Sequence, residues 1–151
     1  MSYNLSQHTE TRCIKCGKLL AKNGDNGSFE VKCNRCGTLN SVLERAPQQI
    51  IITDPEGIVL YANEALEKIT GYSSHEVIGF KPSVWGGQMS PEFYAHLWDT
   101  IKNKKQSITV ALLNKRKDGT LYDATLVISP ILDPNKEILF FVGVENPINN
   151  L

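Results

Sequence analysis

Hydrophobic positions along the chain follow two different periods, and the switch between them marks the elements. Gln48-Gln49-Ile50-Ile51-Ile52-Thr53 is a β-branched run with strand character. Asp54-Pro55-Glu56-Gly57 then has proline second and glycine fourth, the signature of a type I turn. Ile58 to Ala62 is the return strand. Asn63 is placed to cap a short helix, Glu64 to Ile69, which stops at Gly71. Ser73-Ser74-His75-Glu76 is a capping box for a second short helix. Ser90-Pro91-Glu92 opens a longer one, on which Phe93, Tyr94, Leu97, Trp98 and Ile101 share one side. The period then returns to two. Ile108 to Lys117 turns at Asp118-Gly119 into Leu121 to Ile131. A second turn at Asp133-Pro134-Asn135-Lys136 leads to Ile138 to Val144. The order β-β-α-α-α-β-β-β predicts an α+β unit: a five-stranded antiparallel sheet with helices on one face.

The first forty residues show no such pattern but hold all four cysteines. Cys13-Ile-Lys-Cys16 and Cys33-Asn-Arg-Cys36 are two C-x2-C pairs, each followed by a glycine, Gly17 and Gly37. Two residues between cysteines let both sulfurs turn toward one point, and two such turns complete a tetrahedral thiolate shell for Zn2+. Asn23 to Gly27 is a loop, and Phe29-Glu30-Val31-Lys32 alternates into a strand before the second pair. A closed site of four thiolates is structural, because no coordination position stays open for chemistry. Two disulfides or a redox C-x-x-C are the competing assignments. The redox case needs a βαβ context that this segment lacks.

Composition adds limits. The chain has 151 residues, 41% of them apolar, with a formal net charge of zero. No apolar run reaches membrane-span length and no signal-peptide core is visible, so a soluble, cytoplasmic protein with no membrane contact is expected. Residues 1–42 carry six Lys/Arg against three Asp/Glu. That is a modest basic excess and not a polybasic arm. The three histidines, His8, His75 and His96, stand near no nucleophile motif, and no phosphate-cradling glycine loop occurs. Gly86-Gly87 reads as a hinge. No enzymatic activity is expected.

Two resemblances sharpen these expectations. Arg12-Cys13-x-x-Cys16-x-Lys18-Leu19-Leu20, with Phe29-Glu30-Val31-Lys32-Cys33-x-Arg35-Cys36, resembles the Com family of zinc-finger regulators from Mu-like phages. That resemblance implies nucleic-acid binding, of RNA or DNA, through Arg12, Lys15, Lys18, Lys22, Lys32 and Arg35. Ile51-Ile52-Thr53-Asp54-x-x-Gly57-x-x-x-Tyr61-x-Asn63 and Ile69-Thr70-Gly71-Tyr72-x-x-x-Glu76-Val77-Ile78-Gly79 resemble a PAS domain, as do Phe93-Tyr94-x-x-Leu97-Trp98 and Asn114 to Gly119. This implies a sensory or interaction module whose helices and sheet enclose a small cavity. The expected organisation is a Com-like zinc ribbon over 1–42, a short helical connector over 43–46, a PAS domain over 47–147 and a tail over 148–151.

PAS domains hold flavins, haem, small metabolites or no ligand. The resemblance implies that blue-light adduct chemistry needs a cysteine in the segment after Glu-x-x-Gly. Phe80 to Trp85 has none, so that chemistry is excluded. Haem needs an inward histidine, whereas His96 falls on the polar side of the long helix beside Glu92 and Asn103. The expected pocket residues are Ile52, Leu60, Trp85, Trp98, Ile108, Val110, Leu112, Tyr122, Leu126 and Val142. Most of these are bulky enough to fill the cavity themselves, which is the favoured expectation; a bound flavin or another small ligand is the alternative. Pro147 argues against a long outgoing helix, and no kinase, cyclase or helix-turn-helix segment is present. The favoured function is a one-component regulator, with the PAS domain as sensor or homodimeriser and the ribbon as nucleic-acid contact. The alternatives are an adapter joining signalling proteins without nucleic acid, and a flavin redox sensor.

Overall fold

A computed structural model describes residues 10–12, 19–22, 30–32, 39–41 and 43–148. The chain divides into two compact units, Met1–Arg45 and Ala46–Leu151.

Among the described residues, the first unit holds two antiparallel hairpins. β1 (Glu10–Arg12) pairs with β2 (Leu19–Lys22), and β3 (Glu30–Lys32) pairs with β4 (Leu39–Ser41). The strand expected before the second cysteine pair is β3. The helical connector expected at 43–46 is instead a turn at Leu43–Arg45. Ser41, of a residue type that often caps helices, pairs in the ladder opposite Glu30.

The second unit is a five-stranded sheet ordered β6-β5-β9-β8-β7. Its strands are β5 (Gln49–Thr53), β6 (Val59–Ala62), β7 (Ile108–Lys115), β8 (Leu121–Leu132) and β9 (Ile138–Pro147). Every pairing is antiparallel. The Asp54 turn forms as its sequence predicts. Asp54 O accepts from Gly57 N, and Asp54 Oδ1 accepts from Glu56 N and Ile58 N.

Three helices follow: α1 (Glu64–Thr70), α2 (Ser74–Val77) and α3 (Pro91–Trp98). α1 ends on Gly71 at φ 81°, a left-handed cap that glycine adopts without a Cβ penalty. Asn63 does not cap α1 with its side chain. It is buried, accepts from Ile50 N at 2.9 Å and donates to Gln48 O at 2.8 Å, which fastens the helix start to β5. The α2 box is present, with Glu76 Oε2 accepting from Ser73 N at 2.8 Å. Ser90 Oγ accepts from Phe93 N at the start of α3. That helix runs on into a π turn, Asp99–Asn103, marked by the wide Lys104 N to Asp99 O bond.

The main core lies under α1. Val59, Leu66, Val77 and Trp85 pack there with Ile51 and Ala62. A second cluster under α3 joins Leu97 and Ile101 to Phe141.

Candidate functional site

Side chains alternate along a strand, so one face of the sheet is set by parity. On β5 that face carries Gln49, Ile51 and Thr53, and on β9 it carries Phe141, Gly143 and Glu145. β7 gives Leu112 and Asn114, and β8 gives Leu126 and Ile128. Tyr94, Leu97, Trp98 and Ile101 come from α3 and its π turn. Together these enclose a cavity of about 270 Å³. Trp85 closes one side. The loop that carries it is held to the sheet by Lys115 N donating to Trp85 O at 2.8 Å. Trp98 stands edge-on to Phe141, with centroids 5.7 Å apart. Its indole also occupies the space a side chain at Gly57 would need. Lys81, Ser83 and Gly87 form an exposed rim.

The cavity is lined mainly by apolar side chains, with Thr53 toward one end of β5, Lys81 and Ser83 at the rim, and a buried polar cluster at the other end of β5. Gln49 and Glu145 are directly opposite on β5 and β9, and both are almost wholly buried, at 1% and 3% exposure. Asn114 and Tyr122 are opposite on β7 and β8. The Tyr122 hydroxyl donates to Glu145 Oε1 at 3.0 Å, and Asn114 Nδ2 donates to the same hydroxyl at 3.4 Å. Burial pushes the Glu145 carboxyl above its ordinary pKa, against the opposing pull of hydrogen bonds from Tyr122, Asn114 and Trp85. Burial, with the nearby Glu145, pushes the Tyr122 phenol up as well. Gln49 Oε1 is buried with no hydrogen-bond partner.

Of the ten expected pocket residues, Trp85, Trp98, Leu112 and Leu126 line the cavity. Ile52 and Val142 do not, because each sits one residue out of register, between Ile51 and Thr53 and between Phe141 and Gly143. A one-residue shift on a strand reverses the face. Leu60 is 47% exposed on the edge strand β6 and lies outside the cavity. Ile108 and Val110 have the right parity but pack in the cluster under α3. Tyr122 is buried against Leu112 and reaches the site through its hydroxyl. His96 is exposed and is not a lining residue.

The sequence reading missed Gln49, Thr53, Asn114 and Glu145. The signal was available: each is polar and two residues from an inward apolar or glycine position.

Cys13, Cys16, Cys33 and Cys36 lie outside the described residues, as do Lys15, Lys18 and Arg35. Arg12, Lys22 and Lys32 end β1, β2 and β3. In chain order each cysteine pair falls between the two strands of one hairpin. The hairpins also repeat in sequence. Glu10-Thr-Arg-Cys-Ile-Lys-Cys-Gly-Lys-Leu-Leu-Ala21 aligns without a gap on Glu30-Val-Lys-Cys-Asn-Arg-Cys-Gly-Thr-Leu-Asn-Ser41. The cations recur in step, Arg12 with Lys32 and Lys15 with Arg35. Four soft donors in this duplicated frame suit Zn2+.

Comparison with known proteins places both halves. The profile of the PAS fold matches residues 37–148, and that of the Mu-like prophage protein Com matches residues 7–49. The chain belongs to the PAS family and carries a Com-type zinc ribbon in front. Over 114 residues it is 30% identical to a nitrogen fixation regulatory protein of Klebsiella oxytoca, covering 75% of this chain and 23% of that one. Over 103 residues it is 37% identical to a blue-light photoreceptor of Listeria monocytogenes serovar 1/2a, covering 66% of this chain and 40% of that one. The chain therefore spans less than half the length of either relative. A solved structure described as a flavin analogue shedding light on light-oxygen-voltage domain mechanism superposes with TM-score 0.64 at 27% identity, covering 72% of this chain and 82% of that one. The PAS unit is thus a sensor domain of the kind found in regulatory and signalling proteins. Among the described residues, no helix is long and apolar enough to cross a membrane.

The cavity suits a flavin ring in its walls and floor. Apolar side chains form the two sides, and the polar end leaves a buried amide oxygen without a donor. No cysteine follows Cys36, so the cavity has no thiol with which to form an adduct.

Proposed function

We propose that this chain is a one-component regulator in which the PAS unit senses a ligand and the zinc ribbon contacts RNA or DNA. The observation that carries the reading is the duplicated hairpin, with cations recurring at matched positions beside each cysteine pair. Phosphate backbones are bound by such repeated cations, and much of the affinity comes from released counterions. The zinc ion holds the ribbon's shape and takes no part in chemistry. The chain acts in the cytoplasm without catalysing a reaction.

In the sensor, Gln49, Asn114 and Glu145 would hold the polar edge of a bound flavin, and Trp85, Leu112 and Leu126 would cover its faces. A flavin there would supply a redox-dependent change in the ring's hydrogen bonding. The protein's part is to orient the ring and exclude water.

A second reading, an adapter or homodimer, draws on the outer sheet face. There Ile131 and Phe140 stand opposite each other on β8 and β9, 42% and 41% exposed.

A gel-shift assay with the zinc-loaded chain tests the first reading. Single-stranded RNA or DNA should bind at low salt, with a log–log salt slope of about −3.5 if about five phosphates are neutralised. Absence of binding at low salt to either nucleic acid overturns it and leaves the adapter.

A further inference from the structure

The two edges of the five-stranded sheet are finished differently. On β6, Val59 N donates to Phe80 O and Val59 O accepts from Gly79 N, so a neighbouring segment covers that edge. On β7 only the second half is covered. Leu113 N donates to Met89 Sδ at 3.4 Å, and Lys115 N donates to Trp85 O at 2.8 Å. Odd-numbered residues of β7 therefore turn their backbone groups away from β8. By the same parity Thr109 and Ala111 present N–H and C=O outward. Both residues are exposed, and among the described residues those groups have no partner. A charge, a proline or a bulge usually blunts an open edge. Ser107 to Ala111 holds no charge and no proline, and the register of β7 on β8 runs without a bulge.

This open stretch is flanked by one sign of charge. Between Asp99 and Asp118 stand Lys102, Lys104, Lys105, Lys115, Arg116 and Lys117, with no Asp or Glu among them. Lys102, Lys104 and Lys117 pair with Glu56, Asp99 and Glu76. Arg116 donates to Ile69 O and Thr120 Oγ1. Lys105 Nζ donates to Lys136 O at 2.6 Å, a neutral carbonyl. Among the described residues neither Lys105 nor Lys115 meets a carboxylate. These two cations bracket the open amides.

We propose that β7 takes an extended, acidic segment of a partner protein as an added strand, paired with Thr109 and Ala111 and held at its ends by Lys105 and Lys115. The edge offers donors and acceptors in alternation, which a polypeptide backbone matches. A phosphate backbone only accepts, so it would leave the Thr109 and Ala111 carbonyls unpaired. A second copy of this chain fits less well. Setting Thr109 of one copy against Ala111 of the other brings Lys105 opposite Lys115, and like charges directly opposite are destabilising. So short a run also falls far below the area of a stable dimer. The inference depends neither on the cavity's occupant nor on the ribbon's nucleic-acid contact, each of which is measured separately.

The probe is a capped peptide of alternating valine and threonine with two glutamates at each end. One control has lysines at its ends. Another is N-methylated throughout its centre, so that its backbone cannot donate. Amide exchange and chemical-shift changes of the full zinc-loaded chain are followed at low salt, with peptide up to about 1 mM. The acidic peptide should slow exchange at Thr109 and Ala111. The lysine-ended peptide should bind about tenfold or more weakly, and the N-methylated one should give no protection. Lys105→Glu combined with Lys115→Glu should weaken the acidic peptide about tenfold. Ala111→Pro removes an outward N–H and spares the bonds to β8, a place where an edge strand tolerates proline. It should abolish binding, with circular dichroism confirming the fold. The proposal is overturned if the acidic peptide leaves both amides unchanged, if either control binds as well, or if folded Ala111→Pro binds like the parent. Protection of the same amides by a single-stranded oligonucleotide, or in the concentrated chain alone, overturns it in favour of nucleic acid or a second copy. The N-methylated control uses the parent chain, so the result stands even if Ala111→Pro does not fold.

Discussion

The two units solve the same problem, holding a chain in one shape, by different means. The PAS unit buries Val59, Leu66 and Val77 completely and builds a sheet of five strands over them. The first unit has two hairpins whose strands are three or four residues long. Ladders this short cannot offset the entropy of ordering the chain. On the proposed reading, a zinc ion would supply the missing free energy, since binding free energy becomes folding free energy when the site exists only in the folded state. The contrast shows why one chain can gather its sulfur at one end.

The comparison can be broken by perturbing one unit and watching the other. Leu66→Ala removes a fully buried side chain beneath α1. It should destabilise the PAS unit by about 3–4 kcal/mol in denaturant unfolding, while zinc affinity stays as in the parent. A loss of zinc in step with the PAS unit would mean that the units do not fold independently.

Glu145→Gln should have a smaller effect that depends on pH. The folded carboxyl has a raised pKa, so the folded state keeps its proton when the unfolded state has begun to ionise. Its contribution is complete below the unfolded value of about 4.3. It is lost as pH rises from there through the higher folded value, and is level above that. The Gln variant carries no such proton and lacks this decline. Glu76, Asp99 and Asp118 are shifted downward by their hydrogen bonds and give the opposite slope near the acid end. Those three are common to both proteins. The difference between parent and variant, measured by urea unfolding from pH 4 to 8, therefore isolates Glu145. Parallel stability curves across that range would contradict a neutral, buried carboxyl.

Much of this arrangement was legible in the sequence. Every strand and α-helix of the PAS unit was signalled by period, cap or turn residues, because those signals act locally. The Asp54 turn, the Gly71 cap and the Ser73 box each follow from chemistry within four residues. Pocket assignment was less secure, because it depends on register. Ile50, Ile51 and Ile52 are equally apolar, and only pairing with β9 decides that Ile51 faces inward. Asn63 was misjudged for a related reason: a cap residue and a long-range strand clamp look alike until β5 is in place. In the ribbon, the repeat of residues 10–21 at 30–41 shows that Leu39 to Ser41 should pair as Leu19 to Ala21 does. Without it, Ser41 resembles a helix cap.

Hydrogen exchange of the full chain with and without a strong zinc chelator tests the central claim most directly. The account predicts that backbone amides in β1 to β4 lose protection on chelation, while those of β5, β7, β8 and β9 keep theirs. Protection in the four short strands that survives complete removal of metal would contradict it.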